Sequence, residues 1–191
     1  MEQGIFIIDM ATCTGCQTCR IACHDRADSA DGVEPLRIET EESGVYPIPT
    51  LAYRVVHCHH CAEPSCAAVC PVEAISRDAA GWVLIDAAAC TGCGACADAC
   101  PFGVITLGDD DVAVKCDGCH DEVARGWEPT CVRACPMRAL HFEIPPAEVP
   151  KNRIADPCFD GQGIEPRVVY LRWRRDETAG PATQRREGAK G

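Results

Sequence analysis

Sixteen of the 17 cysteines in this 191-residue chain fall into four quartets, and that pattern limits the fold more than any other feature. The first is Cys13-x2-Cys16-x2-Cys19-x3-Cys23, and the second is Cys58-x2-Cys61-x4-Cys66-x3-Cys70-Pro71. The third is Cys90-x2-Cys93-x2-Cys96-x3-Cys100-Pro101, and the fourth is Cys116-x2-Cys119-x11-Cys131-x3-Cys135-Pro136. Cys158 is left over. Cysteine at about 9% of residues marks a cysteine-built scaffold rather than an ordinary core. Met1–Asp9 has neither a basic start nor a long apolar stretch, so no secretory leader is visible. Without one, dense cysteine reads as metal-binding rather than disulfide-paired, and an odd number cannot pair completely.

Soft thiolates select zinc, copper(I) or iron–sulfur clusters. A structural zinc site combines two Cys-x2–4-Cys pairs, which explains neither the third cysteine of a quartet nor the fourth followed by proline. The C-x2-C-x2-C-x3-C-P run is the [4Fe–4S] ligand run of bacterial ferredoxins, in which the fourth cysteine serves the neighbouring cluster. A tight loop reaches three corners of a cube with thiolates spaced by two residues. The fourth cysteine opens a helix and points the other way, and the proline ends the loop. The run is intact at 90–101, lacks proline at 13–23, has one extra residue at 58–71, and has a longer insertion at 116–136. Four quartets predict four clusters, paired by exchange of the fourth cysteine. Spacing alone leaves the exchange partners open. The short separation of the second and third quartets favours a nested arrangement, with the first and fourth pairing outside them.

The quartets are an internal repeat. Three continue alike, as Pro71-Val-Glu-Ala-Ile75, Pro101-Phe-Gly-Val-Ile105 and Pro136-Met-Arg-Ala-Leu140, whereas the first has His24 in place of proline. Strands are predicted at 5–8, 81–86, 103–107 and 112–114, the last two split by the turn signal Gly108–Asp111. The cysteine-free insertion 24–57 contains extended segments at Leu36–Thr40 and Tyr53–His57, with Gly44, Pro47 and Pro49 as breakers. The fold class is α+β: two bacterial-ferredoxin-like modules with nested quartets, an insertion and an extended C-terminal tail. Residues 1–143 form the four-cluster domain, with an inner module at about 58–101, an outer module at about 5–23 plus 112–140, and the insertion between them. Residues 144–191 begin with a proline-rich connector, hold a further candidate strand at Val168–Trp173, and end in a polar tail read as partly disordered and as a partner contact. Residues 1–140 carry 9 basic and 21 acidic side chains, and residues 141–191 carry 9 and 8. An acidic body is unsuited to general nucleic-acid binding and suits either steering of a basic partner or plain solubility. No window of about 18 apolar residues exists to span a membrane.

From Cys13 to about Phe142 the chain resembles the four-cluster ferredoxin-like subunits of the molybdopterin oxidoreductases, the electron-transfer subunits of the dimethyl sulfoxide, thiosulfate, polysulfide, formate and nitrate enzymes. The resemblance is carried by Cys13-Thr-Gly-Cys-Gln-Thr-Cys19, Cys58-His-His-Cys-Ala-Glu-Pro-Ser-Cys66, Lys115-Cys-Asp-Gly-Cys119 and Pro129-Thr-Cys-Val-Arg-Ala-Cys-Pro136. Similar small subunits serve tungsten aldehyde oxidoreductases and hydrogenase complexes. The resemblance implies the ligand sets: Cys13, Cys16, Cys19 and Cys135; Cys23, Cys116, Cys119 and Cys131; Cys58, Cys61, Cys66 and Cys100; Cys70, Cys90, Cys93 and Cys96. Some relatives have an aromatic residue at the position of Cys93 and carry a three-iron cluster. Its presence here implies four [4Fe–4S] clusters. The implied partners are a catalytic subunit with a molybdenum or tungsten pterin, which can hold a cluster of its own, and a further redox subunit or carrier.

No phosphate-binding glycine loop and no paired-carboxylate or Ser/His/Asp arrangement stands out, so the chain is read as a non-catalytic subunit relaying single electrons. A free-standing polyferredoxin and a zinc-bound interaction scaffold are the competing readings; the residues beyond Phe142 argue against the first. His57, His59 and His60 are expected at the surface or in hydrogen bonds, Trp82, Trp127 and Trp173 in packing or interfaces, and Cys158 as a small apolar side chain. Backbone N–H groups of the loops with Gly15, Gly92 and Gly118 are expected to donate to cluster sulfides. The expected location is cytoplasmic, with export alongside a partner as the alternative.

Overall fold

The computed structural model describes residues 4–143, 151–155 and 164–173. The proline-rich connector, Cys158 and the polar tail lie outside the described residues. The chain is a mixed α+β fold whose largest sheet is built around its first strand.

Strand β1 (Ile5–Asp9) is an apolar run with Phe6, Ile7 and Ile8 all buried, as suits a strand covered on both faces. It pairs antiparallel with β8 (Leu140–Glu143) and parallel with β10 (Val168–Trp173), and β10 pairs antiparallel with β9 (Arg153–Ala155). The last described segment is therefore part of this sheet. Tyr170 of β10 is buried and donates its hydroxyl proton to the Val55 carbonyl at 2.8 Å, tying the sheet to the next element.

That element is a two-stranded ribbon of β2 (Leu36–Val45) and β3 (Ile48–His57), in register from Leu36↔His57 to Val45↔Ile48. The extended segments expected there are much longer than the sequence suggests, because Gly44 and Pro49 pair within the ribbon instead of ending it. A two-stranded ribbon has only edge strands, where a missing proline N–H costs least. Its base is buried at Leu36, Val55 and Val56, and its tip projects, with Tyr46 95% and Val45 80% exposed.

Helix lengths follow the prolines. Helices α3 (Ala95–Ala99) and α5 (Thr130–Ala134) each stop at the cysteine before a proline, so the fourth cysteine closes a helix and does not open one as expected; Cys100 and Cys135 are extended, as a pre-proline residue prefers. Helix α2 (Ser65–Ala68) ends just ahead of Cys70-Pro71. Helix α1 (Thr18–Ala27) has His24 where the others have proline, so it runs on past Cys23 until Asp28 caps it in a left-handed conformation. Short hairpins follow the inner quartets: β4 (Ile75–Arg77) with β5 (Val83–Ile85), and β6 (Thr106–Leu107) with β7 (Ala113–Val114). A further short helix, α4 (His120–Ala124), follows Cys119. No helix of the described residues is long and apolar enough to cross a membrane.

Asp9 joins the sheet to the first thiol loop. Its main-chain oxygen accepts from the N–H groups of Thr12 and Cys13, while its carboxylate accepts from Ala11 N–H, the Thr12 hydroxyl and Arg153 Nε at 2.8–3.0 Å. The Asp9–Arg153 pair is mostly buried, with side-chain exposures of 15% and 8%. Burial alone raises the Asp9 pKa, but the Arg153 and Thr12 bonds outweigh it and hold the carboxyl below its usual 3.8. The pair's stabilisation is therefore present above about pH 4 and is lost as pH falls through the lowered folded value. Asp9→Ala is expected to cost about 3 kcal/mol, in the range for breaking a buried pair, and to flatten the acid limb of the stability–pH curve. Urea titrations at pH 3.5 and pH 7 check both.

Candidate metal centres

Each candidate centre draws thiols from two quartets. Cys13, Cys16 and Cys19 line one cavity with Cys135, walled by Ile38, Val55 and Leu140. Cys58, Cys61 and Cys66 line a second with Cys100. Cys90, Cys93 and Cys96 line a third with Cys70. All three are built alike, from three thiols of one quartet and the fourth of another, so they suit guests of one kind. The remaining thiols form a fourth group: Cys23 feels the charge of Cys119, Cys116 that of Cys23 and Cys131, and Cys131 that of Cys119 and Cys23. Cys23 and Cys116 also border an open cleft, whose rim carries Asp28, Asp109, Asp110, Asp117 and Asp121.

The loops aim main-chain N–H groups at the sulfurs. The residue two places after the first cysteine of every quartet is left-handed: Gly15 (φ 67°), His60 (φ 43°), Gly92 (φ 69°) and Gly118 (φ 71°). Gly118 N–H lies 3.3 Å from the Cys116 sulfur and His60 N–H lies 3.5 Å from that of Cys58. A side chain at Gly118 would collide as well as strain, since a Cβ there would sit 2.1 Å from the Trp82 ring. The segments after the fourth cysteine repeat a second device. Glu73, Gly103 and Arg138 are all left-handed, and Ala139 N–H reaches the Cys135 sulfur at 3.3 Å.

Burial, reinforced by neighbouring thiolates, pushes the Cys19 and Cys66 thiols up to about 11 and the Cys23 and Cys61 thiols up to about 12. Cys116 and Cys131 rise well above their ordinary value for the same reasons. Cys16 moves down, chiefly through the Thr18 hydroxyl, and Cys70 moves down through the N–H groups that follow it. Such buried, mutually repelling thiolates need a cationic centre to be held together. Tetrahedral zinc, with Zn–S of about 2.3 Å, would bring its sulfurs to about 3.8 Å from one another. Among the described residues no three cysteine sulfurs lie within 4.8 Å of one another. The donor sets are thus all sulfur, supplied with N–H donors, and spread wider than one ion requires. They fit a multinuclear iron–sulfur core.

Comparison with known proteins agrees. The 4Fe-4S dicluster domain family matches residues 50–144, and the 4Fe-4S binding domain family matches residues 10–28. The chain is 40% identical over 146 residues to the B subunit of the anaerobic dimethyl sulfoxide reductase of Escherichia coli strain K12, covering 72% of this chain and 71% of that protein. The chain belongs to the dimethyl sulfoxide reductase family of iron–sulfur subunits. Within that family it is also 36% identical to the thiosulfate reductase electron transfer subunit PhsB of Salmonella typhi, over 74% of this chain and 76% of that one. It is 35% identical to the formate dehydrogenase-O iron-sulfur subunit of Escherichia coli strain K12, of which it spans 53%. It is an iron–sulfur electron-transfer subunit of the molybdopterin oxidoreductase type.

Of the two placements expected for the histidines, hydrogen bonding is found at His57 and His60, and surface exposure at none of the three. His57, His59 and His60 are each only 1% exposed. His57 Nδ1 bonds the Cys58 carbonyl at 2.8 Å, Val83 N–H donates to His60 Nδ1 at 3.1 Å, and His59 stacks on Phe102 at 3.7 Å. Burial lowers the His57 pKa to about 4 and that of His59 to about 3, so these rings are neutral packing elements at pH 7. Trp82 packs in the core against Phe142, while Trp127 is exposed with the guanidiniums of Arg125 and Arg133 over its ring. Of Trp173, the structure describes only the backbone pairing with Arg153. His60 stands where other quartets have glycine, so no glycine marks its turn. No local pattern marks Lys115 as a buried charge either.

Proposed function

We propose that the four thiol groups are the ligand sets of four [4Fe–4S] clusters in two nested ferredoxin-like modules, an inner one at 58–101 and an outer one at 5–23 plus 112–140. The observation that carries this reading is the set of thiol-lined cavities, each fed by the fourth cysteine of a different quartet. A bound cube supplies one-electron redox chemistry. The chain's own residues hold the cubes, shield them from water and set their order.

That order is linear. Cys19 of the first set interacts with Cys131 of the second, and Cys19 and Cys23 share helix α1. Cys116 of the second set packs in one apolar cluster with Cys58 of the third, together with Val56 and Val104. Helices α2 and α3, which carry or adjoin Cys66, Cys70, Cys96 and Cys100, bring the third set against the fourth. The Cys13 and Cys93 sets are then the two ends of the relay.

We infer that one end faces a catalytic subunit bearing a molybdenum or tungsten pterin and the other faces a second redox partner. The relatives' names support this, and so does the projecting ribbon. Val45, Tyr46, Ile48 and Leu51 expose apolar surface at its tip, more than a free carrier needs. Tyr46→Asp is expected to weaken binding of the catalytic subunit at least about tenfold, as loss of an aromatic interface anchor does, and to leave the iron content unchanged. Co-purification of wild type and variant under anaerobic conditions checks this. The reading as a whole is tested by isolating the tagged chain anaerobically. A stoichiometric large subunit containing molybdenum or tungsten supports it, and a chain isolated alone with full iron favours a polyferredoxin carrier. A cytoplasmic site, or export together with that partner, completes the proposal.

A further inference from the structure

Lys115 is 8% exposed, and its ammonium donates only to two main-chain carbonyls, those of Val83 and, at 3.1 Å, Cys116. No carboxylate pairs with it among the described residues. A buried cation without a counter-ion is costly, and proteins keep one only where something anionic balances it. Carbonyl oxygens supply partial charge, not a full one. Lys115 directly precedes Cys116 of the second thiol set, and through Val83 it bonds strand β5 of the inner hairpin. Val83, whose carbonyl it bonds, lines the thiol cavity of Cys58, Cys61, Cys66 and Cys100, so the ammonium sits beside the third set. Arg167, which also faces Cys61, is different: it is only half-buried and has Asp78 near it.

We propose that Lys115 is the fixed counter-cation of the cluster held by Cys58, Cys61, Cys66 and Cys100, and that it raises that cluster's reduction potential relative to the rest of the relay. This rests on the ligand sets proposed above. A cube with four thiolates is anionic, and the electron received from the redox partner adds to that charge. A cation held in a low-dielectric interior stabilises the reduced form more than the oxidised one. The third cluster then accepts electrons readily from its neighbours, at the junction between the outer and inner halves.

The test is an electron-paramagnetic-resonance redox titration of the full chain, loaded anaerobically, for wild type, Lys115→Met and Lys115→Arg. Cys61→Ser identifies the third cluster by the signal it removes. In Lys115→Met the one-electron reduction constant of that cluster is expected to fall at least about tenfold, which is about 59 mV. Lys115→Arg is expected to stay near wild type. Iron-replete Lys115→Met with all potentials unchanged overturns the proposal, as does Lys115→Arg shifting as far as Lys115→Met. If Lys115→Met fails to hold iron, Lys115→Arg decides: full iron at the wild-type potential supports a charge requirement, and loss of iron there too overturns it. A wild-type chain without cluster signals contradicts the ligand sets instead, so the two failures are distinct.

Discussion

Stripping iron from the full chain is expected to abolish its cooperative unfolding transition. The cysteines are not appended to a core; they are part of it. Cys19, Cys131 and Cys135 belong to the largest apolar cluster, Cys96 to the second, and Cys58 and Cys116 to the third. Each thiol cavity becomes a packing defect once its guest is gone. A vacated core site costs about 2–5 kcal/mol, as large-to-small core substitutions do. Several together are comparable to the whole stability of a typical domain, about 5–15 kcal/mol. Loss of iron also breaks the links that tie each quartet to a cysteine of another. Circular dichroism during a urea titration, before and after anaerobic chelation, measures the effect. A sigmoidal transition that survives complete removal of iron contradicts the structural role of the clusters.

The second large effect is expected at the middle of the relay. Cys116→Ser should lose about four iron atoms per chain, since a hard hydroxyl is a poor substitute for a soft thiolate. It should also stop electron flow between the two ends while both end clusters stay loaded. Cys116 is buried, receives the Gly118 N–H, and packs against Cys58 of the next set. Its loss removes the step that joins the outer module to the inner one. Iron analysis together with stopped-flow reduction from one side measures both parts. Undiminished reduction of the far clusters in Cys116→Ser would show that the order is not the one proposed.

What the sequence made legible is local. A quartet's spacing specifies a ligand loop and a short strand after each of the last three quartets, but the helix expected to open at the fourth cysteine instead ends there. With His24 in place of proline, α1 runs on into the segment read as an insertion, longer than the other helices of the described residues. What stayed hidden depends on distant neighbours. The parallel pairing of β10 with β1 joins residues more than 150 positions apart, and no local pattern records it. The ribbon's length escaped because glycine and proline read as breakers until both strands are known to be edges. The burial of Lys115 and the three histidines has no local signal, because it is imposed by Trp82, Val83, Phe102 and Tyr170, packed around them from other parts of the chain. Left-handed His60, Glu73 and Arg138 carry no glycine to announce them, so tertiary packing must hold the strain.

The central claim is that this subunit is a four-step wire. Coulometric reduction of the anaerobically isolated, full-length chain tests it most directly, with iron quantified on the same sample. The account predicts uptake of about four electrons per chain carrying about sixteen iron atoms. A colourless chain filled with zinc, or one that accepts no electrons at full metal content, would contradict it.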